Sequence, residues 1–241
     1  MSGDKKNLTR EITKNRNADV KSFIDTLTTI PNVKSTGKRG RLLFGMDATA
    51  SRGPTWDAAC QIQGNMFAET AKIGGVDIQL AYYRGFNEFA CSSYVSSASD
   101  LIEFMSKVYC RGGHTQLQRM LKYARHEKVK NKIDAFVFVG DCLEESVDDV
   151  CAVAGELGML GLPCFTFQEG SDFIASDAFR EVARLSGGAY CRFDSSSPNQ
   201  LKELLSAVAI YAAGGRKALK DYGVKRGGDV KQIAHQVLKG R

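Results

Sequence analysis

The chain has 241 residues, 43% of them hydrophobic, 25% charged and 9% aromatic, which supports one globular body with a sizeable core and excludes a fibrous or wholly unstructured protein. Its net charge of +6 sits at the ends: residues 1–41 hold 10 Lys/Arg against 4 Asp/Glu, residues 214–241 hold 8 against 2, and the stretch between them holds 15 basic against 21 acidic residues. An acidic body with basic ends that lack interleaved aromatics is not the pattern of a nucleic-acid binder, so nucleic acid is not the expected partner.

Residues 1–17 are polar and lack the apolar run of a signal peptide, and no segment reaches the ~18–20 apolar residues of a membrane span. Val20, Phe23, Ile24 and Leu27 recur at helical spacing, which predicts a short helix over 18–30 that Pro31 stops. Residues 32–40 read as a linker, which makes residues 1–40 a basic extension to a body over 41–213. RLLFGM, from Arg41 to Met46, is a buried strand ending at Asp47. Pro54 opens a helix over 55–73 with Trp56, Ala59, Cys60, Met66 and Phe67 on one stripe, ended by Gly74-Gly75. Residues 76–85 and 88–94 are strands, and the short Gly85–Asn87 link makes them an antiparallel hairpin.

Ser97 or Ser99 caps the next helix, with Leu101, Ile102, Met105, Val108 and Tyr109 inward. A helix over 115–126 follows, then the most apolar strand, DAFVFVGD (134–141). Val147, Val150, Cys151, Ala154 and Leu157 mark a helix by steps of three and four. Strands over 163–168 and 189–193 flank a helix over 172–186, and a last helix spans 199–212. Residues 214–241 form a basic tail in which 230–238 has a weak helical pattern. Strands alternating with helices predict a three-layer α/β domain, Rossmann-like, with a mostly parallel sheet and one antiparallel edge strand.

Seven cysteines without a CxxC pair argue against a disulfide framework or a structural zinc cluster and for a reduced, cytoplasmic chain. Cys60, Cys142, Cys151, Cys164 and Cys191 fall in apolar periodic contexts, where cysteine packs as a small hydrophobe.

Folds of this class place function in loops at the carboxyl ends of strands. The first strand ends in Asp47-Ala48-Thr49-Ala50-Ser51, the Gly112-Gly113-His114 loop delivers Thr115, and the strand over 134–140 delivers Asp141. Two carboxylates and three hydroxyls are hard oxygen donors that suit Mg²⁺, Mn²⁺ or Ca²⁺. Alternate residues 47, 49 and 51 of one tight turn can face one ion, and the glycines free the backbone to bring Thr115 close. Each piece alone has a simpler reading, since Asp47, Thr115 and Asp141 are all good helix caps. Three pieces in order, each at a strand end, favour metal binding.

Asp-x-Thr-x-Ser, then a Thr after glycines, then a strand-end Asp resembles the metal-ion-dependent adhesion site (MIDAS) of von Willebrand factor A (vWA) domains, over about residues 40–212. The resemblance implies that Thr49 and Ser51 bind the metal directly, that Thr115 binds directly or through water, and that Asp47 and Asp141 act mostly through water. It also implies a non-enzymatic role in which the metal captures an Asp or Glu carboxylate of a partner protein, intracellular members often working with ATPases or in multi-protein assemblies. Three departures from the family pattern stand out: Thr49 where Ser is commoner, Cys142 after Asp141 where Gly is common, and His114 before Thr115. Arg52, Arg84, Arg111 and His114 are candidate rim residues, and Glu144 and Glu145 are placed to repel acidic partners or bind a basic one.

The alternative is a Mg²⁺-dependent phosphohydrolase of the haloacid-dehalogenase type with Asp47 as nucleophile. That class wants a second Asp two residues on, where this chain has Thr49, and Asp148-Asp149 lies within a helix. No GxGxxG, GxxxxGK[ST] or GxSxG motif is present.

Overall fold

The first strand is apolar on both faces: Leu42, Phe44 and Met46 face one layer and Leu43 the other, all fully buried. That two-sided burial belongs to a central strand covered by helices on both sides. A computed structural model describes residues 39–55, 75–193 and 205–214. It contains the strands β1 (Gly40–Asp47), β2 (Val76–Arg84), β3 (Glu88–Cys91), β4 (Ala135–Gly140), β5 (Cys164–Glu169) and β6 (Ala189–Phe193). The helices are α1 (Ala98–Ser106), α2 (Leu117–Asn131), α3 (Val147–Met159) and α4 (Phe173–Ser186), with a further helical segment over 205–214.

The strands form one sheet in the order β3-β2-β1-β4-β5-β6. All neighbours are parallel except β2 and β3, which pair antiparallel at the edge. One face of the sheet packs on α1 and the 205–212 segment through Phe44, Val137, Phe165, Leu101, Met105 and Val208. The other packs on α2, α3 and α4 through Phe136, Phe138, Met120, Val150, Ala154 and Phe179. The expected three-layer α/β architecture with one antiparallel edge strand is the observed one. The helices expected over 18–30 and 230–238 lie outside the described residues, as do all but the first residue of that over 55–73 and residues 199–204 of the last.

Several boundaries differ from those the sequence suggests. β3 ends at Cys91 rather than residue 94, because the Ser92 hydroxyl accepts from the Leu80 amide (3.0 Å) and replaces a ladder carbonyl. α1, capped by Ser97, ends at Ser106. Leu101, Met105 and Val108 are buried as expected, but Ile102 (38% exposed) and Tyr109 (62%) are not. Ile102 lies about 100° round the helix from Leu101, and Tyr109 follows the helix end. α2 runs on to Asn131, since Glu127 is buried beneath Tyr94 and accepts from its hydroxyl (2.8 Å) and from Asn131 (2.6 Å). None of the six described cysteines is in a disulfide. Cys164 and Cys191 are buried, whereas Cys142 and Cys151 are only partly covered.

Candidate metal centre

The order of the sheet reverses direction between β1 and β4, whose successors lie on opposite sides. At such a switch point the loops diverge and leave a crevice at the carboxyl ends of the strands. Asp47 is the last residue of β1, and Asp141 directly follows the last residue of β4. Neighbouring parallel strands thus bring two carboxylates together from positions 94 residues apart in the chain.

Asp47 is fully buried. One of its oxygens accepts from the Thr49 amide (2.7 Å) and the other from the Tyr83 hydroxyl (3.0 Å). Tyr83 is its register partner on β2. Burial pushes the Asp47 carboxyl up to about 6, opposed by its bonds to Thr49 and assisted by the nearby Asp141 charge. Burial and the Asp47 carboxylate raise the Tyr83 hydroxyl well above its ordinary value, so it stays a donor. After Asp47 the chain makes a short turn, and the Thr49 and Ser51 hydroxyls meet at 3.1 Å. The turn therefore brings Asp47, Thr49 and Ser51 together.

One oxygen of Asp141, Oδ1, is buried with no hydrogen-bond partner among the described residues. Oxygens of Asp47 and Asp141 lie within 4.8 Å of each other and of the Cys142 sulfur. Two carboxylates this close repel unless something positive or protonated lies between them. An unpartnered buried carboxylate oxygen is costly by itself. Both observations fit a cation-binding site built on these donors.

Thr115 is tied to the loop after β4. Its hydroxyl accepts from the Glu144 amide (2.9 Å), and its own amide donates to the Glu144 carboxylate (3.0 Å). The preceding loop is laced to the ends of β1 and β2: Arg111 donates to Ala48 O (3.0 Å) and His114 to Gly85 O (3.2 Å). Gly113 permits that lacing, because a Cβ there would sit 1.9 Å from the Gly85 oxygen. Gly112 has open space at the same position.

The rim differs from the sequence reading in two respects. Arg52 is not at the rim but 1% exposed beneath the turn, paired with Glu169 at the end of β5. Burial pulls its guanidinium down, while Asp141 and Asp47 hold it up. Thr55 donates to the same Glu169 (2.9 Å). Glu144 and Glu145 are engaged within the chain, Glu144 while staying exposed: Glu144 holds Thr115 and meets His114 Nδ1 (3.1 Å), and Glu145 accepts from the Leu117 and Gln118 amides at the start of α2. Arg84 and Arg111 both pair with Glu88. Tyr83, Glu169 and Thr55 carried no signal of their own in the sequence, since their roles depend on cross-strand register.

A scan of protein-family models finds no match to this sequence, and a search of curated proteins finds none either. Solved structures do match in shape. The vWF domain of the pilus tip protein Mfa5 from Porphyromonas gingivalis superposes with a TM-score of 0.60 at 10% identity, over 75% of this chain and 98% of that one. The SpRpn10 VWA domain gives 0.54 at 10% identity, over 72% and 95%. Proximal thread matrix protein 1 from the mussel byssus, solved with a zinc-occupied MIDAS motif, gives 0.57 at 14% identity, over 73% of this chain but 47% of that one. At these identities the likeness establishes the fold, and the fold is that of vWA domains.

Proposed function

We propose that this chain is an intracellular, non-enzymatic vWA-fold domain that binds a divalent cation at Asp47, Thr49, Ser51, Thr115 and Asp141 and uses it to hold an Asp or Glu carboxylate of a partner protein. The observation that carries the reading is the meeting of Asp47 and Asp141 at the switch point, with Asp141 Oδ1 buried and unpartnered. The oxygen donors among these five suit Mg²⁺, Mn²⁺ or Ca²⁺. When bound, the ion supplies a positive, open coordination position for a partner oxygen. Tyr83 and the Thr49 amide hold Asp47 in place, and Glu144 fixes Thr115.

The surface around the crevice suits a protein partner. Phe86 (77% exposed), in the β2–β3 hairpin, stacks edge-on against His114 (5.3 Å). Phe173 (77%) and Ile174 (57%) stand at the start of α4, after β5, at the same end of the sheet. Exposed aromatic and apolar groups flanking a charged centre are the usual makings of an interface. A partner in an ATPase or other multi-protein assembly is what the resemblance to intracellular vWA proteins supports. Against phosphoester hydrolysis stands Thr49 in place of a second Asp.

The test is capture of partners by the purified full chain with and without chelator, for the wild type and Asp47→Ala. Partner bands that vanish with chelator and with the variant are expected. Identical partner lists in all four conditions would defeat the proposal.

A further inference from the structure

The described donors at the centre are not all oxygen. Cys142 follows Asp141 directly, and its sulfur lies within 4.8 Å of the same Asp47 and Asp141 oxygens. Three donors at that mutual spacing can close on one ion with modest side-chain adjustment. The thiol is partly covered. A neutral thiol is a poor ligand for Mg²⁺ or Ca²⁺, which keep to oxygen. Borderline dications bind sulfur strongly and displace its proton on doing so.

We infer that Cys142 is a metal ligand of this centre and shifts its preference from Mg²⁺ to a sulfur-accepting dication of the Zn²⁺ class. The Cys142 proton passes to solvent as the sulfur–metal bond forms. Asp47 and Asp141 supply two oxygens, and the Thr49–Ser51 pair lies beside them in the β1 turn. The inference rests on the cation-binding reading above and adds the identity of the donor and the class of ion.

Co²⁺ serves as the probe, because a cobalt–thiolate bond gives a near-ultraviolet charge-transfer band that oxygen ligands do not. Titration of the full chain with Co²⁺ and then Zn²⁺ is expected to produce the band and then abolish it. Cys142→Ser is expected to lack the band and to lose Zn²⁺ affinity by at least the roughly 10–100-fold that loss of an outer-shell partner costs, with Mg²⁺ affinity unchanged. Cys110→Ser, which removes the other thiol electrostatically coupled to Asp47 and Asp141, is expected to keep the band. Binding of Co²⁺ without the band, binding of Mg²⁺ but not of Co²⁺ or Zn²⁺, or a band that survives Cys142→Ser, overturns the inference and leaves the cation site standing. Failure of the wild type to bind any of the three ions removes both.

Discussion

Asp47 is held in a place where a carboxylate is uncomfortable. It is fully buried, and its carboxyl stands near 6 rather than the ordinary 3.8. Without a cation, the folded chain therefore keeps a proton that the unfolded chain has already released between those values. Stability from this group is present below about 4 and is lost as pH rises through about 6, a difference of roughly 3 kcal/mol. Denaturant midpoints in chelator should fall over that window in the wild type but not in Asp47→Asn. A wild-type midpoint that rises relative to the variant would contradict the assignment. Tyr83→Phe removes the hydroxyl donor from Asp47 Oδ2, and the unsatisfied buried oxygen should cost about 1–3 kcal/mol, seen as a lower urea midpoint at pH 7. Among the five proposed donors, Asp47, Thr49 and Ser51 were legible because they lie within five residues, and Asp141 because it follows the most apolar strand. Tyr83 and Arg52 were not, since nothing local says that Tyr83 lies opposite Asp47 or that Arg52 turns under the loop to Glu169.

At the scale of elements, the centre depends on two loops that are fixed by residues other than its donors. Gly113 lies against Gly85, so Gly113→Ala must move the loop that carries His114 and Thr115. Because β1, β4 and both core layers are untouched, the variant should keep its fold by far-ultraviolet circular dichroism while its cation affinity falls, read by calorimetry. An unchanged affinity would show that the loop position does not matter. Glu145 caps α2 from a residue 28 positions away. Glu145→Gln keeps the shape but removes the charge at the helix start, and should cost about 0.5–2 kcal/mol of stability, measured by thermal melting. The α2 start is displaced from Thr115 to Leu117 for the same reason: its amides are satisfied by the β4–α3 loop, so the local cap that the sequence offers is spent on holding Glu144. The central strands β1 and β4 were legible from apolar runs alone, because strands covered on both faces carry few polar positions to confuse the pattern.

For the whole molecule, the proposed donors come from β1, the α2 approach and the β4–α3 loop. β1 and β4 are the two central strands of the sheet, so the sheet cannot open at its centre without separating Asp47 from Asp141. A cation that needs both carboxylates binds only the folded chain, and its binding energy adds directly to global stability. At an ion concentration of about 100 times Kd that addition is about 2.7 kcal/mol. For a body of this size, each kcal/mol moves Tm by about 2–4 °C, so the expected rise is roughly 5–10 °C. The rise should vanish in Asp47→Ala and in Asp141→Ala, although the two variants start from different baselines: the first loses a strained buried charge, whereas the second relieves the repulsion and the orphaned oxygen. A rise of equal size in either variant would place the ion elsewhere on the molecule. A wild type that melts at one temperature with chelator, Mg²⁺, Mn²⁺ or Zn²⁺ would leave the fold intact and remove the cation from its function.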